Sequence, residues 1–167
     1  MFDTIIETIK TVGSFAGFLT ALFLIWDRFI KNRPVALIMA RPLVPESRQI
    51  LHFLYVKNVS DRPILVSWQN RSEKNRLRIG KDQTISGIVD VMHEDETIVS
   101  LGPKAEAYLP LIRPGNYAEI DPDNLLEVTL RWRFPQPLIL KVDRKILVWI
   151  RKRDWDFMAD HYMTPVL

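Results

Sequence analysis

The chain begins with a long apolar run. Residues 11–26, TVGSFAGFLTALFLIW, contain no charged residue, and as an α-helix they would extend about 24 Å at 1.5 Å per residue. Isoleucines continue the apolar surface upstream, and Lys10 and Arg28 are long enough to reach the two interfaces of a bilayer. Because a hydrocarbon core needs about 20 residues, we predict a membrane-spanning helix from about residue 2 to residue 30.

Other interpretations of this segment remain open. A cleaved signal peptide would need a basic start, whereas the first charged residues here are Asp3 and Glu7. A buried helix or an interfacial helix would need a polar face, yet only Thr20 is polar among residues 16–26. Three basic residues follow the run directly: Arg28, Lys31 and Arg33. By the positive-inside rule, we expect a single-pass protein with its C-terminal part in the cytoplasm.

The remainder of the chain, residues 34–167, is predicted to be a β domain. It contains all eleven prolines, and its clearest alternation is residues 127–134, EVTLRWRF, which directs Trp132 into a core. Residues 51–58 are apolar on both faces and are expected to form a central strand, with residues 64–68 following in a hairpin-like arrangement. The other candidate strands are residues 35–41, 76–79, 84–92, 97–101 and 105–111, and residues 138–142 paired with 146–151. This pattern predicts a mainly β protein: one N-terminal transmembrane helix in residues 1–33, then a cytoplasmic antiparallel β-sandwich.

Composition narrows the function classes. The chain is 47% apolar and 26% charged, which is enough apolar surface to build a core. Zero cysteines exclude a disulfide scaffold, a thiol nucleophile and a thiolate zinc site. The net charge of +3 is small for a nucleic-acid binder, so no duplex nucleic acid is expected as a partner.

Two stretches carry a resemblance to known proteins. LHFLYVKNVSDRPILVSWQ and VSLGPKAEAYLPL, with Val56, Asn58 and Pro63, resemble immunoglobulin-like β domains of small bacterial proteins anchored by one helix. The overall layout is similar to that of membrane effectors of bacterial antiviral systems, such as accessory proteins of type III CRISPR loci. The resemblance implies location in the bacterial inner membrane, binding of a cyclic nucleotide and disturbance of that membrane.

The densest basic stretch is the first candidate site. Residues 71–81, RSEKNRLRIGK, hold five cations against one acid, Glu73. The cations are Arg71, Lys74, Arg76, Arg78 and Lys81. Arg76 and Arg78 alternate along a predicted strand and could grip phosphates together. Three interpretations are open: a solvated edge strand, a site for a cyclic oligonucleotide or another anionic small molecule, and contact with acidic membrane lipid.

A stripe of small residues in the helix is the second candidate site. Gly13, Gly17 and Ala21 are spaced by four residues, the pattern that permits close approach between membrane helices. We expect a homo-oligomer assembled through this stripe. The alternative is that the glycines are ordinary helix composition.

The sequence contains no motif for catalysis or for a cofactor, so an enzyme is not expected. The acidic cluster Asp90, His93, Glu94, Asp95 and Glu96 is interpreted as a solvated hairpin tip, with a metal site as the less favoured alternative. The apolar tail, which includes Trp155 and Phe157, is expected to pack on the sandwich or on a neighbouring subunit. Two functions remain: a ligand-sensing membrane effector, and a membrane-tethered adaptor that an exposed patch containing Trp68 or Trp155 would favour.

Overall fold

The computed structural model describes residues 2–26, 32–42, 50–71, 73–82, 84, 87, 95–135 and 143–161. For residues 2–11 and residue 161 it describes the backbone alone. The chain divides into two units, Met1–Arg33 and Pro34–Leu167. In the first unit, helix α1 extends over Phe2–Trp26, and the side chains of residues 12–26 are all exposed.

The prediction of a membrane-spanning helix is not met. Within the part of the chain that the structure describes, no helix combines the length and the apolar character that crossing a membrane requires. The physical reason lies in the sequence of α1, because Asp3, Glu7 and Lys10 interrupt its first half and the uncharged run is shorter than the span of about 20 residues.

In the described part of the second unit there are eight strands and, after the last of them, a helix. The strands are β1 (Val35–Pro42), β2 (Ile50–Lys57), β3 (Ile64–Gln69), β4 (Arg78–Ile79), β5 (Glu96–Leu101), β6 (Glu106–Ile112), β7 (Leu125–Arg133) and β8 (Arg144–Arg151), and helix α2 is Lys152–His161. A short 3-10 helix, Tyr117–Glu119, lies between β6 and β7. The predicted strand over residues 138–142 and most of that over 84–92 lie outside the described residues.

The strands form two four-stranded antiparallel sheets, which confirms the mainly β prediction. The first sheet has the order β1-β2-β6-β4, and the second has the order β5-β3-β7-β8. β2 is central, as expected. The hairpin-like arrangement of β2 and β3 is wrong, because the two strands belong to different sheets. Their connection crosses the sandwich, since both strands contribute to the core between the sheets.

The core lies between the two sheets. Leu54 and Val56 enter it from the first sheet, and Val66, Leu130 and Trp132 enter it from the second. Alternate residues of β7 are buried throughout the strand, as its sequence pattern predicts. The residues between these buried positions therefore form the outer face of the second sheet.

Helix α2 packs against β8, β1 and β2. Trp155 is buried, and its indole stacks on the His52 ring with centroids 3.7 Å apart. His52 Nε2 donates a hydrogen bond of 2.9 Å to the Trp155 carbonyl oxygen. The expectation that the tail packs on the sandwich is therefore confirmed at Trp155.

Candidate anion-binding groove

Two cations lie side by side on the outer face of the second sheet. β7 and β8 pair in a register that sets Arg131 opposite Lys145 and Thr129 opposite Leu147. These residues alternate with the core positions of the same strands. Like charges directly opposite each other on neighbouring strands are destabilising. The Arg131–Lys145 pair therefore favours an anion placed between the two side chains.

A connection between the sheets brings further cations to the same place. Asn70 Nδ2 donates to the Ile79 carbonyl oxygen at 2.9 Å, and Ile79 N donates to Asn70 Oδ1 at 2.9 Å. Trp68 Nε1 donates to the same carbonyl at 3.1 Å. These buried bonds join the end of β3 to β4, which pairs with β6 of the first sheet. They fix where the intervening residues cross the edge of the sandwich.

The middle of this connection is attached to β7. Leu77 N donates to the Glu127 carbonyl oxygen at 2.8 Å, and Glu127 N donates to the Asn75 carbonyl oxygen at 3.0 Å. Asn75 has a positive φ of 61°, a conformation that asparagine tolerates better than most residues. This turn places Arg76 beside Glu127 on the second sheet.

The result is an open groove of about 320 Å³. It is lined by Trp68, Gln69, Arg71, Arg76, Glu96, Thr129, Arg131, Lys145 and Leu147. Four lining side chains carry positive charge and one carries negative charge. The volume is at the lower end of the usual range for small-molecule sites.

Not all four cations are neutralised by the protein. Arg76 NH1 forms a salt bridge of 2.7 Å to Glu73 Oε2, and the Arg71 guanidinium donates to Gln69 Oε1 at 3.2 and 3.3 Å. Arg131 and Lys145 have no ion-pair partner among the described residues. The groove therefore retains positive charge available to a ligand.

Two lysines of the first sheet and its turns form salt bridges. Lys57 Nζ lies 2.7 Å from Glu106 Oε1, and this hydrogen bond raises the pKa of the Lys57 ammonium and lowers the pKa of the Glu106 carboxyl. Lys104 pairs with Asp61 at 3.1 Å. Lys145 differs from these two lysines in having no such partner among the described residues, and the groove gathers it with three arginines.

The basic stretch of the sequence divides between two places. Arg71 and Arg76 line the groove, whereas Lys74, Arg78 and Lys81 are not among its lining residues. Arg78 lies in β4 opposite Ile112 of the first sheet. Arg76 and Arg78 therefore do not share one sheet face, because the chain passes from the second sheet to the first between them.

The basic stretch that the sequence singled out contains neither Arg131 nor Lys145. Arg131 stands at an outward position of the alternating residues 127–134, whereas residues 146–151, ILVWIR, neither alternate nor include Lys145. The proximity of Arg131 and Lys145 depends on the register between β7 and β8, which no local pattern supplies. Guanidinium and ammonium groups gathered this way donate charged hydrogen bonds to phosphate or carboxylate oxygens.

Other candidate residues lie away from the groove or outside the described residues. Gly13, Gly17 and Ala21 lie on α1, and a Cβ atom added at either glycine would meet nothing within 4 Å. Asp90, His93 and Glu94 lie outside the described residues. Among those that are described, no group of histidine, aspartate or glutamate residues could hold a metal ion.

The two tryptophans considered for an exposed patch are both buried. Trp68 and Trp155 are core residues, so neither supports the adaptor interpretation. No protein-family model and no curated protein matches the chain. The functional argument therefore rests on the groove itself.

Proposed function

We propose that the β domain is a non-catalytic binding module whose groove takes an anionic, phosphate-bearing ligand. The proposal is supported above all by the juxtaposition of Arg131 and Lys145 on adjacent strands. That juxtaposition is unfavourable in the free protein and favourable once an anion lies between the two side chains. Arg71 and Arg76 add two guanidinium groups to the same groove.

A phosphate group suits this arrangement better than a single carboxylate. Three arginines offer planar, bidentate donors, and a lysine adds a compact charge. A cyclic oligonucleotide is one phosphate-bearing ligand of this chemistry. Its binding, and a role in antiviral sensing, remain predictions.

The test is a titration of the full chain in detergent with pyrophosphate and with a cyclic oligonucleotide. We expect saturable binding that is weakened by roughly two to four orders of magnitude in Arg131→Gln with Lys145→Gln, because each charge-assisted contact contributes about 1.5 to 3 kcal/mol. The matched control is Lys74→Gln with Lys81→Gln, which removes two exposed cations of the basic stretch outside the groove lining.

The free energy of unfolding of the groove variant, Arg131→Gln with Lys145→Gln, tests independently whether the two charges repel each other. Removing two facing like charges should leave the free energy of unfolding unchanged or slightly higher. Equal affinities of the groove variant and the control variant would reject the groove as the anion site.

We propose in addition that α1 associates with lipid and with other copies of itself. In support, the exposed side chains of residues 12–26 include large apolar ones on every side of the helix, such as Phe15, Phe18 and Leu24, and such a surface is stable only when covered. Location in a bacterial inner membrane and a cytoplasmic β domain remain predictions. Retention of the full chain in membranes washed with high salt is expected, and release by salt alone would contradict the proposal.

A further inference from the structure

Large apolar side chains lie beside the groove on the outer face of the second sheet. Ile98, Leu147 and Trp149 are 49%, 53% and 60% exposed. Ile98 is opposite Ser67, and Ser67 is opposite Arg131, so the isoleucine and the groove cations belong to one row across the sheet. A group of exposed apolar side chains indicates a surface that contacts another protein or a membrane.

The same face has an excess of positive charge. Trp149 lies opposite Glu127 in β7, and Arg151 follows at the next outward position of β8, with no ion-pair partner among the described residues. Glu96 and Glu127 are acidic residues of this face, and Glu73 and Asp143 form salt bridges with Arg76 and Arg133 beside it. Among the described residues, the six cations Arg71, Arg76, Arg131, Arg133, Lys145 and Arg151 outnumber these four acids.

We propose that this face docks on an acidic phospholipid bilayer, with a headgroup phosphate in the groove and Trp149 and Leu147 in the interfacial region. The inference rests on the proposed anion-binding function and names the anion. Lipid headgroups supply the phosphate charge, and the interface beneath them accepts tryptophan and leucine side chains.

The mixture of residues favours a membrane over a soluble anion. A small soluble anion would use the cations and leave Ile98, Leu147 and Trp149 in water. A protein partner is less favoured because lysine is depleted in protein interfaces, whereas Lys145 is one of the residues that line the groove on this face. An acidic lipid surface attracts each nearby lysine or arginine. It does not require these cations to lie in one particular geometry.

The absence of cysteine from the chain allows a single reporter to be placed on this face. Leu147→Cys, labelled with an environment-sensitive fluorophore, is reconstituted as full chain into vesicles of phosphatidylcholine with or without phosphatidylglycerol. Leu37→Cys is the matched control, because Leu37 is an exposed leucine in β1, on the outer face of the first sheet. We expect a blue shift at position 147 that requires phosphatidylglycerol, and no such shift at position 37.

The groove charges should control the docked state. Adding Arg131→Gln and Lys145→Gln to the labelled protein is expected to weaken docking about 30-fold, which corresponds to about 1 kcal/mol for each charge. Added salt should mimic the substitutions. Because the readout is the label at position 147, attachment through α1 alone does not produce the shift.

A pyrophosphate titration of the same labelled protein separates the two proposals. If pyrophosphate binds but the emission of the label does not shift with either kind of vesicle, the docking inference is overturned while the anion-binding function stands. A protein partner then becomes the favoured occupant of the apolar surface. If neither has an effect, both proposals fall. A blue shift of equal size in both vesicles overturns the role of acidic lipid.

Discussion

Asn58 offers the sharpest test of how the sandwich is held together. Its side chain is fully buried, and its Nδ2 donates to the carbonyl oxygens of Arg62 and Gly102, each at 2.7 Å, and to that of Leu101 at 3.3 Å. Its Oδ1 accepts from Ser60 N at 3.0 Å and from Ser60 Oγ at 2.7 Å. The residue thus joins the turn after β2 to the turn after β5.

Asn58→Ala should lower the free energy of unfolding by about 3 to 5 kcal/mol. Each lost hydrogen bond contributes about 1 kcal/mol net, and a buried group left without a partner costs about 1 to 3 kcal/mol. Ser60 N–H loses its acceptor, whereas Ser60 Oγ keeps a bond to the Arg62 carbonyl oxygen. The expected loss is a large part of the total of about 5 to 15 kcal/mol that domains usually have.

The assay is urea unfolding of the full chain in detergent, followed by circular dichroism. Asn124→Ala is the control, because Asn124 is exposed and its loss should change the free energy of unfolding by less than about 0.5 kcal/mol. Asn58→Asp should be as damaging as the alanine, since a carboxylate would face carbonyl oxygens without a donor. A loss below about 1 kcal/mol in Asn58→Ala would refute the idea that this network ties the turns together.

Three further predictions follow from the fold. Removing residues 1–33 should leave a folded β domain, because residues 34–167 form a compact unit of their own; loss of the β signal in circular dichroism would contradict this. Burial lowers the pKa of His52 below its ordinary value of 6.5, so the unfolded chain binds the extra proton and stability should fall as the pH drops below about 6.5. His52→Gln, which keeps a donor towards Trp155, should flatten that pH profile in urea titrations. Gly13→Leu with Gly17→Leu should reduce crosslinking between helices in membranes, and an unchanged crosslinking pattern would reject the stripe.

The sequence by itself determined the local character of the elements. Alternation in residues 127–134 identified β7 and directed Trp132 to the core, because a strand sends successive side chains to opposite faces. The two apolar faces of residues 51–58 identified β2 as a central strand, since only a strand covered on both faces can be apolar on both. The basic stretch placed two of the four groove cations, Arg71 and Arg76.

Only the tertiary structure decided which strands are neighbours. β2 and β3 follow one another closely in the chain but enter different sheets, because burying their inner faces against each other determines the arrangement more than their proximity in sequence does. For the same reason Arg76 and Arg78 lie on different sheets, although they are only two residues apart. The chain crosses from the second sheet to the first between them. Arg131 and Lys145 become neighbours through the register of β7 and β8, a long-range pairing that no pattern within either strand encodes.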